Sequence, residues 1–305
     1  MQNQQKIQYS EKKMLKTSPK QLTKDYFSKK FWEQLSPNLS IEKEENSKTI
    51  GLLNKDKKLF NKKIIDDGFL HLKQPGLETP TSQINQAICS IVKMGLPPVF
   101  IFIYDQPWSI PGQIKNILKG LLDDNYLLLP DFWAWHVSPG ESGWKPHRDR
   151  PLSLFDDFTP QSLTLWIPLT KATPENSCMY VLPANKDLFY HDKVQPDLKF
   201  GFPGNLSDIQ ALPSEPNDVL IWNQRVVHWG STSKKNHEIG PRISLAFEFQ
   251  RSDVNSFNDP LIKSCNIPNF KERLNLIGKQ VIQYTHMYGF NKELVDLAVQ
   301  LKNFK

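Results

Sequence analysis

The sequence lacks the features of disulfide-linked, membrane-spanning and secreted proteins. Its three cysteines, Cys89, Cys178 and Cys265, include no C-x-x-C pair, which argues against a disulfide framework and against a cysteine zinc site. No apolar run reaches the roughly 18 to 20 residues that a membrane-spanning helix needs, and the polar start has no apolar core of a secretory signal. We therefore expect no transmembrane segment and a cytoplasmic protein.

Arginine is missing from the first part of the chain, since all six arginines lie at or beyond Arg148. The first 63 residues hold 15 Lys against 7 Asp and Glu, so the formal net charge of +6 belongs to this segment. Lysine lacks the planar fork with which arginine reads phosphates and bases. The rest of the chain holds 23 basic and 25 acidic residues, and we expect no nucleic-acid binding there. We predict a largely disordered extension over residues 1–62 that can contact an acidic partner.

After this extension, hydrophobic patterning predicts a single domain over residues 63–305. The chain is long enough, and with 39% hydrophobic residues apolar enough, to bury one large core. Between about residues 126 and 250, short segments of period two alternate with Pro, Gly, Asn and Asp, which is typical of an antiparallel sandwich or barrel. The fold class is α+β, mainly β. Helical periodicity predicts three helices outside the β core, at about 82–94, 111–122 and 270–284.

Three shorter segments carry further predictions. The aromatic stretch 26–35, within the extension, predicts a short helix that docks on the domain. The segments 64–72 and 98–104 are apolar and bounded by polar, Gly or Pro residues, as buried strands are.

The segment GWKPHRDRP places a histidine and a carboxylate two residues apart, at His147 and Asp149. Because alternate residues of an extended segment point to the same face, these side chains can converge on one point while Arg148 points away. A His-x-acid pair arises easily by chance in a chain with seven histidines and 32 acidic residues. On its own the pair is equally compatible with a surface ion-pair cluster.

A second histidine, His228, lies in an apolar predicted strand 81 residues after His147. Taken singly, a histidine in such a strand is more often a core residue hydrogen-bonded to the backbone. Two histidines and one carboxylate from different strands, however, form the facial triad of non-haem Fe(II), which leaves coordination positions open for a co-substrate and O2. His147, Asp149 and His228 are therefore the predicted catalytic metal ligands.

A clamp for an anion is predicted at the start of the strand RISLAFEF, 14 residues after His228. Strand alternation places Arg242 and Ser244 on one face. A guanidinium beside a hydroxyl suits a carboxylate, which it can hold by a fork and one further hydrogen bond. The alternative is an edge-strand arginine paired with an acidic residue.

The order His147-x-Asp149, His228, Arg242-x-Ser244 resembles that of the Fe(II)/2-oxoglutarate oxygenases. The segments LPDFWAWHVSP, PHRD, LTLWIPL, YVLP and HWGS resemble their phytanoyl-CoA dioxygenase family, and the resemblance covers about residues 64–255. It implies a double-stranded β-helix, a cupin-like jelly roll, with the triad as iron ligands. It also implies that Arg242 and Ser244 hold the distal carboxylate of 2-oxoglutarate. Trp166 would line the co-substrate pocket, although a plain core role suits it equally.

The resemblance also implies the cofactors and the reaction. The cofactors would be Fe(II), 2-oxoglutarate and O2, and a small-molecule or acyl-type substrate would be hydroxylated with release of succinate and CO2. Asp149 favours hydroxylation, because the halogenating branch replaces this carboxylate. Glu248 argues against the nucleobase-repair branch, which has a second arginine at this place. Two alternatives stay open: a cupin-type metalloenzyme without 2-oxoglutarate, and a catalytically silent jelly roll that binds a ligand.

The substrate is not determined by these motifs. The chain departs from the family pattern at residues 176–178 (NSC) and 183–185 (PAN), near the expected substrate. An acyl-CoA, a free amino acid or amine, and a secondary-metabolite scaffold are all compatible. Trp133, Trp135 and Trp144 are candidates for the pocket wall, although tryptophan is more often a core residue.

Overall fold

The structure, a computed structural model, describes residues 24–43, 48–192, 198, 201–263 and 266–305. Helices dominate the two ends of this range and strands its middle. The α-helices are α1 Lys29–Leu35, α2 Asn54–Asp66, α3 Thr81–Lys93, α4 Asp105–Gln113, α5 Lys115–Leu121, α6 Phe270–Tyr288 and α7 Lys292–Lys302. Short 3-10 helices lie at Lys24–Phe27, Pro98–Ile103, Ala184–Lys186 and Leu206–Asp208.

The strands form two antiparallel sheets, as expected from the period-two segments. They are β1 Phe69–Leu72, β2 Leu127–Val137, β3 Ser162–Pro168, β4 Met179–Leu182, β5 Gln210–Leu212, β6 Val219–Asn223, β7 Val227–Gly230, β8 Arg242–Gln250 and β9 Ile262–Lys263. The larger sheet has the order β1-β6-β3-β8-β2-β9, and the smaller sheet has the order β5-β4-β7. Helices together with antiparallel sheets confirm the α+β class.

Most of the core lies between the larger sheet and the helices. The strand β3 is buried along its whole length, because β6 and β8 flank it in the larger sheet. The apolar stripe of α3, at Ile84, Ala87, Ile88 and Ile91, joins the same hydrophobic cluster. No helix in the described ranges is both long and apolar enough to cross a bilayer.

The predicted helices correspond to observed ones with different limits. The helix expected at 82–94 is α3. The one expected at 111–122 begins earlier, at Asp105, and is divided at Ile114 into α4 and α5. Pro111 lies inside α4 rather than at a helix start, and it cannot donate the backbone hydrogen bond of that turn. The helix expected at 270–284 is α6, which continues to Tyr288 and ends at Gly289 with a left-handed φ of 59°.

One strand prediction was wrong, and a second was confirmed only in its last part. The segment 98–104 forms a 3-10 helix in which Val99–Ile103 are fully buried. A short, wholly apolar run has no period that separates a strand from a buried helix. The segment 64–72 divides between the end of α2 and strand β1, and the break occurs at Gly68, where φ is 83°. A Cβ there would lie 2.1 Å from Val226 Cγ2, so this turn requires glycine.

The predicted extension is folded in the parts that the structure describes, which corrects the expected boundary at residue 62. Within 24–43, Trp32 is fully buried and its ring stacks on Phe100 with a centroid distance of 5.7 Å. The Tyr104 hydroxyl donates a 2.8 Å hydrogen bond to the carbonyl of Trp32. The aromatic residues outweigh the lysine bias here, and the predicted docking helix corresponds to α1. Residues 1–23, which hold much of the lysine-rich tail, lie outside the described residues, as does Cys265.

A buried ion pair joins this N-terminal segment to the helices. The Nη2 of Arg273 in α6 lies 2.6 Å from Oδ1 of Asp105, and both side chains are only 1% exposed. Asp105 also accepts hydrogen bonds from the Ser40 hydroxyl at 2.7 Å and from the backbone N–H groups of residues 42 and 43 at 2.9 and 3.0 Å.

We expect Asp105→Ala to lower the free energy of unfolding by about 3 to 5 kcal/mol, because it leaves the Arg273 charge buried and unpaired. Urea denaturation of the purified protein measures this loss. The matched control is Asp296→Ala, which removes the exposed i,i+4 partner of Lys292 and should cost about 0.5 kcal/mol. Equal losses in the two variants would contradict the role given to the buried pair.

Candidate metal centre

The three predicted metal ligands meet at one point. The His-x-Asp segment runs antiparallel to β7, and His147 and His228 exchange two backbone hydrogen bonds of 3.1 and 3.0 Å. Oδ1 of Asp149 lies 3.3 Å from Nε2 of His147 and 3.4 Å from Nε2 of His228. All three ligand atoms lie within 4.8 Å of one another. The spacing is that of donor atoms around a single ion.

Each imidazole presents an electron pair to this point. His147 Nδ1 lies 2.8 Å from the carbonyl oxygen of Lys145, and His228 Nδ1 lies 3.1 Å from that of Val226. A carbonyl only accepts, so each Nδ1 carries the proton and each Nε2 is free to bind a metal. Two lone pairs and a carboxylate oxygen repel one another at these distances unless a cation lies between them. Two imidazoles and one carboxylate are the donor set that suits Fe(II).

The carboxylate of Asp149 is held so that one oxygen faces the ion site. Its other oxygen, Oδ2, accepts hydrogen bonds from the Thr164 hydroxyl at 2.7 Å and from the Trp222 indole N–H at 3.0 Å. Burial alone would raise the pKa of Asp149, but the two imidazoles that face its Oδ1 outweigh burial and hold the pKa well below its usual value. The carboxylate is therefore ionised and ready to bind a cation.

Arg148, between the two ligands of the His-x-Asp motif, points away from them as the alternation predicted. Its Nη1 lies 2.7 Å from Oδ2 of Asp187, and both side chains are at most 1% exposed. The same guanidinium donates to the carbonyl of Arg225. Arg148 thus anchors the segment through a buried ion pair, which is not the surface cluster considered above, and His147 and Asp149 line a cavity instead.

A cavity of about 300 Å³ opens from the triad. Arg242 lines it and is 2% exposed. Its Nε donates to the Ser177 carbonyl at 3.0 Å and its Nη1 to the Ser244 hydroxyl at 2.8 Å. No acidic residue in the described ranges pairs with this guanidinium, and burial lowers the pKa of Arg242 to about 10. The edge-strand ion pair considered above is therefore not found.

The guanidinium of Arg242 lies between two tryptophans. Its central carbon is 5.8 Å from the ring of Trp166 and 5.8 Å from that of Trp135. Trp166 is 2% exposed and lines the cavity, so it is both a core residue and a wall residue. After these hydrogen bonds are counted, Nη1 and Nη2 of Arg242 each still have an N–H donor available. Together the two donors can bind both oxygens of a carboxylate.

Aromatic residues form another part of the cavity wall. Trp133, Trp135 and Trp144 all line it, together with Tyr284 and Tyr288 of α6. The ring centroids of Trp133 lie 4.7 Å from those of Tyr284 and 5.2 Å from those of Tyr288. Tyr284 lies within the predicted helix and Tyr288 beyond it. Neither was predicted as a wall residue, because helical periodicity does not show what a helix packs against. Gly289, which ends the helix, was the signal that could have placed its last turn.

Polar residues beside Glu248 form the remaining part of the wall. Arg150 Nη2 contacts Glu248 Oε2 at 2.8 Å and Asp131 Oδ2 at 3.2 Å. The Gln224 side chain donates to Glu248 Oε2 at 2.7 Å and to Thr164 Oγ1 at 3.1 Å. Burial, followed by the neighbouring Asp131, raises the pKa of Glu248 to about 8. Continued strand alternation from Arg242 through Ser244 and Ala246 would have placed Glu248 on this face.

Comparison with known proteins bears on this geometry. Residues 118–242 match the family model described as phytanoyl-CoA dioxygenase (PhyH), a range that includes the triad and Arg242. No curated protein sequence matches the chain significantly. The fold is similar to that of the apo form of the non-heme monooxygenase ThoJ, with 13% identity and a TM-score of 0.53, over 79% of this chain and 99% of that one. The ThoJ–Ni complex gives 13% identity and a TM-score of 0.53, over 75% and 98%.

The PhyH family uses Fe(II), 2-oxoglutarate and O2, and the two imidazoles and the carboxylate at the triad suit the iron. At 13% identity the ThoJ structures support the fold alone. Over residues 118–242, which are 125 of its 305 residues, the chain is similar to the PhyH family, and the donor set of the triad agrees with the resemblance stated from the sequence.

Proposed function

We propose that the protein is a non-haem Fe(II)- and 2-oxoglutarate-dependent dioxygenase that hydroxylates a small molecule. One observation carries the proposal. The metal-type triad and a buried arginine without an acidic partner in the described ranges line the same cavity. A buried charge is costly unless it is paired, so we infer that an anionic ligand binds Arg242. A dicarboxylate co-substrate could bind the metal with one carboxylate and Arg242 with the other.

In this proposal His147, Asp149 and His228 hold the iron, and Arg242 with Ser244 holds the distal carboxylate of 2-oxoglutarate. When bound, the iron and 2-oxoglutarate supply the oxidation, with release of succinate and CO2. The protein contributes position and environment. Thr164 and Trp222 keep the Asp149 carboxylate in a single-oxygen orientation, and Trp166 shields the Arg242 guanidinium from water.

The arrangement of the sheets agrees with a jelly roll. His228 lies on β7 of the smaller sheet, whereas Thr164, Trp222 and Arg242 lie on β3, β6 and β8 of the larger one. The site is thus bounded by residues of both sheets, as in a double-stranded β-helix with the metal near one mouth. We propose this core for the single domain, whose start we place before Trp32 rather than at residue 63. The cytoplasmic location stays a prediction.

We expect the full chain to bind one equivalent of Fe(II) under anaerobic conditions, and His228→Ala and Asp149→Ala to weaken binding by more than about a hundredfold. Loss of a residue that only orients a ligand already costs 10 to 100-fold. Equilibrium dialysis with metal analysis gives the affinities. His136→Ala, which removes a histidine of β2 outside the triad, should bind iron as the unaltered protein does. Iron- and 2-oxoglutarate-dependent succinate release by either triad variant would contradict the assignment.

We expect Arg242→Gln to raise the apparent KM for 2-oxoglutarate about thirtyfold or more while Fe(II) affinity stays within about twofold. A buried charge pair that loses one partner costs about 2 to 5 kcal/mol, and 1.4 kcal/mol is tenfold. Succinate formation against 2-oxoglutarate concentration measures the change.

Arg242→Lys keeps the charge but loses the fork, and should give an intermediate KM. Arg251→Gln alters an arginine paired with Asp253 at the surface and is the control. Turnover that does not depend on 2-oxoglutarate would favour the cupin-type metalloenzyme. Iron binding without any turnover or 2-oxoglutarate binding would favour the silent binding module.

A further inference from the structure

The cavity has two chemically different ends, and the proposed co-substrate accounts for one. Arg242 and Glu248 lie on the same face of β8, six residues apart, and both line the cavity. At about 3.3 Å per residue their Cα atoms are about 20 Å apart. The Arg242 guanidinium, which has no acidic partner in the described ranges, thus lies at one end of the cavity, and the Glu248 carboxyl group lies at the other. Glu248 is not among the proposed ligands of iron or 2-oxoglutarate, although Gln224 and Thr164 connect it to Asp149.

Glu248 has one oxygen available to a ligand. Its hydrogen bonds from Arg150 and Gln224 both end on Oε2, and no described residue donates to Oε1. Arg150 is shared with Asp131, which also accepts from Asn258 and Gln283 at distances of 2.6 to 2.9 Å.

Two carboxylates at this wall therefore share one guanidinium. Lys279 donates to Asn258 Oδ1 at 2.6 Å and interacts electrostatically with Asp131, but it makes no ion pair with either carboxylate. A cationic ligand bound in the cavity would give these two carboxyl groups a second positive charge.

The walls between the two ends suit a cation with an apolar body. Trp133, Tyr284 and Tyr288 present packed aromatic rings, and aromatic faces attract cations at close range. Burial and Asp131 raise the pKa of Glu248 to about 8, which is the response of a buried carboxyl group whose one cationic partner, Arg150, is shared with a second carboxylate. Asp149 lies on the metal side of Glu248, connected to it through Thr164 and Gln224.

We propose that the substrate is a small molecule with a protonated amino group, which binds Oε1 of Glu248 and lies against the rings of Trp133, Tyr284 and Tyr288. This inference rests on the proposed function, because it places the rest of the substrate toward the iron. Of the three substrate classes left open by the sequence, it selects the amine. An acyl-CoA is disfavoured, since its phosphates would meet Glu248 and Asp131 and the cavity-lining arginines are already committed.

Binding of matched probes tests the proposal. Isothermal titration calorimetry is performed anaerobically on the full chain loaded with Fe(II) and 2-oxoglutarate, with 2-phenylethylamine, 2-phenylethanol and 3-phenylpropanoate as probes of similar shape. We expect the amine to bind at least about tenfold more tightly than the alcohol and the carboxylate to bind most weakly. The free energy of a hydrogen bond to a charged group is large enough to account for a tenfold difference in affinity between the amine and the alcohol.

Glu248→Gln should remove most of the amine-to-alcohol ratio, because the amide can still accept from Arg150 and Gln224 but carries no charge. Glu215→Gln, at an exposed pair with Lys171, should leave the ratio unchanged. Equal binding of amine and alcohol, a ratio that survives Glu248→Gln, or absence of saturable amine binding would each overturn the proposal. Binding of 2-oxoglutarate, titrated separately in each variant, reports whether the proposed function itself has failed.

Discussion

The site depends on the reciprocal backbone pair between His147 and His228. These two hydrogen bonds join segments 81 residues apart and set the spacing of the two imidazoles before any side chain is considered. The alternation of an extended chain then brings Asp149 to the same side, where its Oδ1 lies within 3.4 Å of both ring nitrogens. The backbone pairing and the strand alternation together therefore bring the three donor atoms to one point.

Around this point, charge is arranged by position along strand β8. Arg242 is buried, lies between two tryptophans and has no acidic partner in the described part of the chain. Glu248, farther along the same face, is partly buried and shares its one cationic partner, Arg150, with Asp131. Both arrangements cost free energy in the ligand-free protein. Such groups are retained where a ligand supplies the missing charge, and the cavity that both residues line is the space for that ligand.

The motifs of the site could be predicted because they are short and lie on strands. Period-two alternation is sufficient to place His147 with Asp149 and Arg242 with Ser244, and the same rule applied two residues farther would have included Glu248. The contribution of α6 could not be predicted in this way, since Tyr284 and Tyr288 reach the cavity only through the packing of α6 on β2. Likewise, the fully apolar segment 98–104 has no period, and tertiary packing decides that it is a 3-10 helix. The lysine content led to a predicted domain start that is too late, because it does not show that Trp32 is buried and stacks on Phe100.

The most direct measurement of the central claim is the visible absorption spectrum of the Fe(II)-loaded full chain on anaerobic addition of 2-oxoglutarate. If the triad holds iron and Arg242 directs the keto acid to it, a charge-transfer band will appear with the unaltered protein. The band will be lost in Asp149→Ala and will need more 2-oxoglutarate in Arg242→Gln. A chain that binds iron but shows no band at saturating 2-oxoglutarate would contradict the account.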